Sequence, residues 1–331
     1  MDILSEVLKA VTLKGAVFYN AEFSSPWSVR SPASQTIAPH FGPGAGHVII
    51  YHLLTEGRAW AQLEGGPKIE LGAGDIVVFP HGDSHLMGNG PPTIPVDNGK
   101  ELARILSQGL EIARMGGGGE ATKFICGYMT CDPQVSRLVL AGLPGLLKVN
   151  IRCDPAGVWL ENSIRFSVTN AGAAAAGAEA VLAKLSEALF VETLRRYVAV
   201  LPEAQTGWLA GARDPEVGKA LGLLHRQPAR HWTIGDLATA VGMSRAVLAE
   251  RFRHYLGEPP IGYLTRWRLQ LSARLLTTTA RSIAQIAAEV GYDSEAAFNR
   301  AFKRSFAVPP ARFRRDSRTA PAVPVAAPAT A

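Results

Sequence analysis

Between residues 47 and 129 short apolar runs, at 47–54, 76–79 and 124–129, alternate with Gly/Pro clusters such as 65–67 and 90–92; another such cluster, 42–46, stands just ahead of them. Short apolar runs bounded by turn residues predict β-strands, and this rhythm predicts a sandwich or barrel from about residue 15 to 168. In a strand, side chains two apart share a face, so Val48, Ile50, His52 and Leu54 line one side of the run at 48–54. Glycines 116–119 predict a flexible loop. Residues 2–11 have the pattern of a short amphipathic helix. After an Ala/Gly stretch at 171–178 the period becomes helical. There Val181, Leu182, Leu185, Leu189, Val191, Leu194 and Tyr197 make an apolar face too wide for an isolated surface helix. Such a helix packs on the barrel or against a second subunit. Pro202 and several glycines then predict a linker at 201–212.

Residues 232–314 carry one helix-turn-helix pattern twice. Ala238 pairs with Ala287, Gly242 with Gly291, Ser244 with Ser294 and Phe252 with Phe302. A small Ala lets two short helices approach closely, and the Gly supplies the positive φ of the turn. The Ser caps the following helix, which in this motif lies in the major groove of DNA. Between the units, Leu264, Trp267, Leu271 and Leu275 recur at helical spacing. A helix there of about 18 residues spans roughly 27 Å. That length suits two modules entering successive major grooves, ~34 Å apart on one face of the duplex. Leu248, Phe252, Phe298 and Phe302 are the expected core of the two units.

A chain of 331 residues has room for two domains. The formal charge is +6, unevenly placed: residues 213–318 hold 18 Lys/Arg against 9 Asp/Glu, and the remainder 16 against 19. The excess therefore belongs to the half with the repeat, as in a nucleic-acid-binding domain joined to a neutral one. The first residues lack the basic and apolar regions of a signal peptide. No apolar run approaches the ~20 residues that span a bilayer. Cys126, Cys131 and Cys153 form neither a CxxC nor a disulfide framework. These features predict a soluble, cytoplasmic protein with reduced thiols and no membrane partner. The uncharged Ala/Pro/Val/Thr segment 319–331 predicts a disordered tail.

The segment from Ile286 to Arg314 resembles the signature of the AraC/XylS family of bacterial transcription regulators, departing from it at Ala307, where that family usually has Gly. The resemblance puts base-facing positions on Arg245, Ala246, Ala249 and Glu250 in the first recognition helix, and on Glu295, Ala296, Asn299 and Arg300 in the second. Arg300 has the fork for guanine O6 and N7, and Asn299 the amide for adenine N6 and N7. The alanines offer methyl contacts only. Glu250 accepts from cytosine N4 or pairs with a neighbouring Arg. Arg251, Arg253, Lys303 and Arg304 are expected on phosphates, the alternative for each being a solvated helix face.

Residues 74–89 resemble the second cupin motif at Gly74, Pro80, Gly82, His85 and Asn89. The resemblance implies a double-stranded β-barrel with a central pocket, in which the motif His often binds a metal. The first cupin motif is degraded: its Glu position falls on Ile50 and no H-x-H occurs. Too few ligands remain for a catalytic iron or manganese centre. In cupin register His52 points inward toward His85, with Cys126 as a third inward group. These three are the candidate effector site. Two His and one Cys suit zinc; the alternative is a hydrogen-bonded histidine pair beside a small buried thiol. His40, His47 and His81 are expected in loops or at the surface.

The whole chain looks like AraC-type regulators with this cupin-like sensor, through 51–57, His85, 125–127, 194–196 and 267–268. Some of those regulators respond to oxidants such as reactive chlorine through cysteines. Here no Cys precedes residue 126, and Cys126 could meet Cys131 only if the strand ends between them. The expected fold is α+β with two domains: an N-terminal cupin-like β-barrel (1–170) and a C-terminal all-α double helix-turn-helix (213–318). Residues 171–212 would be a helical interdomain or dimerisation segment with its linker. The expected function is sequence-specific transcription regulation, not catalysis, with the barrel sensing a small molecule, metal or oxidant. Expected partners are double-stranded promoter DNA, RNA polymerase, the effector and a second copy of the chain. The second reading is a cupin isomerase or dioxygenase with an accessory DNA-binding domain, and the third an architectural DNA binder without a sensor.

Overall fold

The computed structural model describes residues 13–38, 47–99, 113–131, 140, 143–170, 177–202 and 205–319. The helix expected at 2–11, His40, the turn at 42–46, most of the Ala/Gly stretch and all but the first residue of the expected tail lie outside them. In chain order the N-terminal part comprises β1 (Leu13–Ser24), β2 (Trp27–Ser31), α1 (Ser34–Ile37), β3 (His47–Glu56), β4 (Arg58–Leu63), β5 (Ile69–Gly72), β6 (Asp75–Phe79), β7 (His85–Asn89), β8 (Val96–Asp97), β9 (Ala113–Gly116), β10 (Ala121–Cys131) and β11 (Leu147–Asn150). The strands form a six-stranded sheet in the order β11-β6-β3-β10-β1-β9 and a five-stranded sheet in the order β5-β4-β7-β2-β8. Strand alternation sorts the apolar residues into two cores. Val48, Ile50, Leu54, Phe79, Phe124 and Tyr128 belong to the interior cluster shared by both sheets. Ile49, Tyr51, Leu53, Val78 and Ile125 belong to a second cluster with the helices that follow.

Those helices are α2 (Pro155–Asn170) and α3 (Ala178–Ala199). The β pattern expected to reach residue 168 therefore ends at Asn150. Leu160, Ile164 and Val168 are buried at helical spacing, while Trp159 and Phe166 stay exposed at 66% and 71%; these two exposed aromatics blur the helical period. The helix expected after 178 packs on the six-stranded sheet. It buries Leu182, Leu189, Phe190 and Leu194, and Tyr51 Oη lies 3.0 Å from Ser186 Oγ. No helix among the described residues is long and apolar enough to cross a membrane.

The expected linker at 201–212 contains α4 (Trp208–Arg213), because Trp208 and Leu209 are buried. Trp208 Nε1 donates to Tyr263 Oη at 2.8 Å. α5 (Pro215–Arg226) follows, capped by Asp214, whose side chain accepts from the Val217 N–H. The two helix-turn-helix units are α6 (Ile234–Val241) with α7 (Arg245–Leu256), and α9 (Ile283–Glu289) with α10 (Glu295–Phe306). α8 (Pro260–Thr278) joins them and α11 (Pro310–Thr319) closes the domain. Capping boxes start α6 (Thr233 with Asp236) and α9 (Ser282 with Gln285), and Ser244 and Ser294 cap the recognition helices. Gly242 and Gly291 turn the chain at φ 77° and 89°. Ala238 and Ala287 are 2% exposed, and Leu248, Phe252, Phe298 and Phe302 are fully buried.

Candidate functional site

The strand ladders place the barrel's polar residues in one row. Cys126 pairs with Tyr19 on one side and with His52 on the other. Cross-strand neighbours on one face stand about 5 Å apart, so their side chains meet. His85 comes from the facing sheet, where β7 pairs with β2 and β4. His52 Nδ1 lies 2.9 Å from Cys126 Sγ, and His52 Nε2 lies 2.9 Å from His85 Nε2. His85 stacks on Phe79, centroids 3.6 Å apart.

One carbonyl orients the whole row. The Asp83 oxygen, 2.9 Å from His85 Nδ1, can only accept. His85 therefore carries its proton on Nδ1, and its Nε2 accepts from the His52 Nε2–H. His52 Nδ1 is then an acceptor, filled by the Cys126 S–H. The Tyr19 hydroxyl is the next group along, at Cys126 and Tyr128. His52, His85 and Cys126 are 2%, 1% and 3% exposed, and burial disfavours every charged form. Burial lowers His85 to about 4. His52 lies well below the ordinary histidine value through burial and the neighbouring His85. Burial pushes Cys126 up to about 12 and Tyr19 well above its usual range. The interior is thus a connected chain of neutral groups.

This arrangement does not fit the expected zinc. His52 turns its two ring nitrogens to different partners, so Cys126 and His85 stand on opposite sides of the imidazole. A metal needs lone pairs converging on one point. Among the described residues no group of three His, Cys, Asp or Glu side chains is arranged to hold an ion. The strand carrying Cys126 runs unbroken to Cys131, so the break that a pairing of these two requires is missing. His47 and His81 are half-buried, with Nε2 against the Pro80 and Leu143 carbonyls. Sequence reasoning did not reach Tyr19 or Tyr128; alternation along the strand of Cys126 was the signal for Tyr128, and the pairing of β1 with β10 the one for Tyr19.

On the helical half, Arg245, Ala246, Glu250 and Arg253 are exposed on α7 and Ala249 is half-buried. On α10, Glu295, Ala296, Arg300, Lys303 and Arg304 are exposed and Asn299 is half-buried. Glu250 makes no ion pair among the described residues, so its pairing with a neighbouring Arg finds no support. Arg251 is a correction. Expected on a phosphate, it instead pairs within the domain with Asp214 and with Glu216, 3.0 Å from the latter, because the buried Asp214 carboxylate needs a counter-charge. Two further arginines hold the domain together. Arg268 donates to the Pro228 and Arg230 carbonyls at 2.6 and 2.9 Å, and Arg314 to the Arg281 carbonyl at 2.6 Å. His225, half-buried between α5 and α8, stacks on Trp267 at 4.0 Å and lies 2.7 Å from Tyr263 Oη.

Compared with known proteins, residues 2–199 match a family model described as a cupin, and residues 237–316 one described as a helix-turn-helix domain. An AraC-like transcription regulator of Streptomyces lividans is 33% identical over 318 residues, covering 95% of this chain and 98% of that protein. The HTH-type transcriptional regulator AlkR of Acinetobacter baylyi is 27% identical, covering 96% and 100%. The RCS-specific HTH-type transcriptional activator RclR of Escherichia coli is 27% identical, covering 96% and 99%. A solved AraC-type DNA-binding domain from Chromobacterium violaceum is 30% identical with a TM-score of 0.31, covering 32% of this chain and 94% of that one.

Proposed function

Since the chain belongs to the AraC-like transcription regulators that join an N-terminal cupin to a C-terminal helix-turn-helix domain, it is a DNA-binding transcription regulator, and we propose that its neutral barrel chain is the receptor that controls DNA binding. The effector would be an uncharged small molecule or an oxidant that competes for the His52–His85–Cys126 hydrogen bonds. A charged ligand would find no counter-charge among these groups. The relatives compared above are regulators, which favours a sensor over a cupin isomerase or dioxygenase. A homodimer working with RNA polymerase in the cytoplasm completes the reading.

One observation carries the coupling. His52 and Tyr51 are neighbours on β3 and point to opposite faces. The first anchors the interior chain; the second reaches Ser186 on α3. A ligand that displaces His52 therefore shifts the strand that seats α3. The path continues through contacts of the interdomain segment with the helical domain: Gly207 N donates to the Tyr255 carbonyl of α7 at 2.8 Å and Trp208 to Tyr263 of α8, while Arg251 of α7 ties to Asp214 at the start of α5. A cavity of about 390 Å³ lined by Leu201, Pro202, Ala210, Arg213, Asp214 and Tyr255 leaves this junction room to repack. The ligand acts by binding one arrangement more tightly than the other.

The test is a thermal-shift screen of small molecules on the full chain and on His52→Ala. A true effector at 100 times its Kd raises wild-type stability by about 2.7 kcal/mol, has no effect on His52→Ala, and changes the wild-type affinity for DNA. Tyr51→Phe should keep the thermal shift and lose most of the change in DNA affinity. Full coupling in Tyr51→Phe contradicts the route, and an equal thermal shift in His52→Ala contradicts the site.

A further inference from the structure

The two helix-turn-helix units differ at one place that the repeat itself makes visible. Gly235 stands in the first turn of α6, and its counterpart in α9 is Ala284. The first residue of the following recognition helix is Arg245 in one unit and Glu295 in the other. The long planar side chain thus goes with the glycine, and the shorter one with the alanine.

The structure shows why. A Cβ added at Gly235 would lie 2.9 Å from Arg245 Nη2, 3.0 Å from Nε and 3.2 Å from Cζ. The two nitrogens are nearer than the carbon between them, so the Nε–Nη2 edge of the guanidinium points into the space that a side chain at 235 would fill. Gly235 is half-buried beneath it, whereas Ala284 is exposed. Arg245 also stands close enough to Asp236 to help hold that carboxylate below its usual range, after the bonds from Thr233. Gly235 needs no glycine for its backbone: it is absent from the positive-φ residues, and α6 is a helix in which Ala is the better former. The missing side chain is therefore explained by the arginine above it.

We propose that Gly235 is a positioning residue for DNA reading: by leaving a seat on α6 for one edge of the guanidinium it places the Arg245 fork at the start of the first recognition helix and so sets the base preference of that unit. This rests on the reading of Arg245 as a base-facing residue. A fork held in place before contact forms its two bonds to one guanine edge with less ordering. The alanines at 246 and 249 offer no polar contact, which leaves Arg245 and Glu250 as the polar base-facing groups of this unit.

The test uses the full chain and selection from a randomised duplex pool, with Gly235→Ala, Arg245→Ala and the double variant. Arg245→Ala is expected to lose preference at one base pair by about tenfold, the scale of one Arg–guanine fork. Gly235→Ala is expected to lose preference at the same base pair with an unchanged or higher Tm, and the double variant to be no worse than Arg245→Ala. If Gly235→Ala keeps the wild-type preference while Arg245→Ala loses it, the seat is idle and the proposal fails. If Gly235→Ala weakens all sequences evenly with a lower Tm, its role is structural and the proposal fails. If Arg245→Ala itself keeps the preference, Arg245 reads no base and the underlying assignment fails with it.

Discussion

Burial of His85 and of the half-buried His225 ring holds both as neutral imidazoles, lowered to about 4 and about 3, and His52 is lowered in the same direction. In the unfolded chain each takes up a proton near 6.5. Between those values the unfolded state binds more protons, so stability is full above about pH 6.5 and falls as pH drops toward the folded values. The loss is about 1.4 kcal/mol per pH unit for each group, or about 3 kcal/mol from His85 alone by pH 4. Urea midpoints measured from pH 7.5 down to 4.5 should fall steadily, and His85→Asn should flatten part of the slope; a flat wild-type profile contradicts this. At this scale the sequence was partly legible. The alternation of 48–54 turned His52 inward, and the motif spacing supplied His85. The zinc expectation rested on a count of ligands, which does not say which ring nitrogen faces which neighbour. Tyr128 shares the face of Cys126 by alternation along β10, whereas Tyr19 stayed hidden because only the pairing of β1 with β10 brings it to Cys126.

Helix ends were the most legible elements, since caps are local chemistry. Ser244, Ser294, Gly242 and Gly291 sit where the repeat put them. Ala307, the departure from the AraC/XylS pattern, ends α10 at φ 62°. A Cβ in the left-handed region costs roughly 1–2 kcal/mol. Ala307→Gly should therefore stabilise the protein by about 1 kcal/mol in denaturant unfolding, less the entropy that glycine adds to the unfolded chain. A loss of stability would show that the strain is relieved elsewhere. Two elements were misread for a physical reason. α2 leaves Trp159 and Phe166 in solvent, which disguised its buried stripe of Leu160, Ile164 and Val168. α4 lies among glycines and a proline that look like a linker, yet Trp208 and Leu209 bury against the first helix-turn-helix unit.

Across the whole molecule the charge asymmetry located the DNA-binding half but did not assign its arginines. Arg251, Arg268 and Arg314 are tied to the domain itself, and a charge count cannot distinguish these from groups that face a phosphate. Of the polar residues expected to face DNA, Arg245 and Arg253 on α7 and Arg300, Lys303 and Arg304 on α10 are exposed, and Asn299 is half-buried. α8 has 19 residues, about 28 Å of helix, the length expected of a helix that sets two units in adjacent grooves. The direct test is dimethyl sulfate protection of a duplex selected by the full chain. Protected guanines should fall in two clusters about one helical turn apart on one face, with Arg300→Ala losing protection in one cluster only. Protection confined to one major groove, or spread along the duplex without preference, would contradict the reading of two unequal units on one promoter.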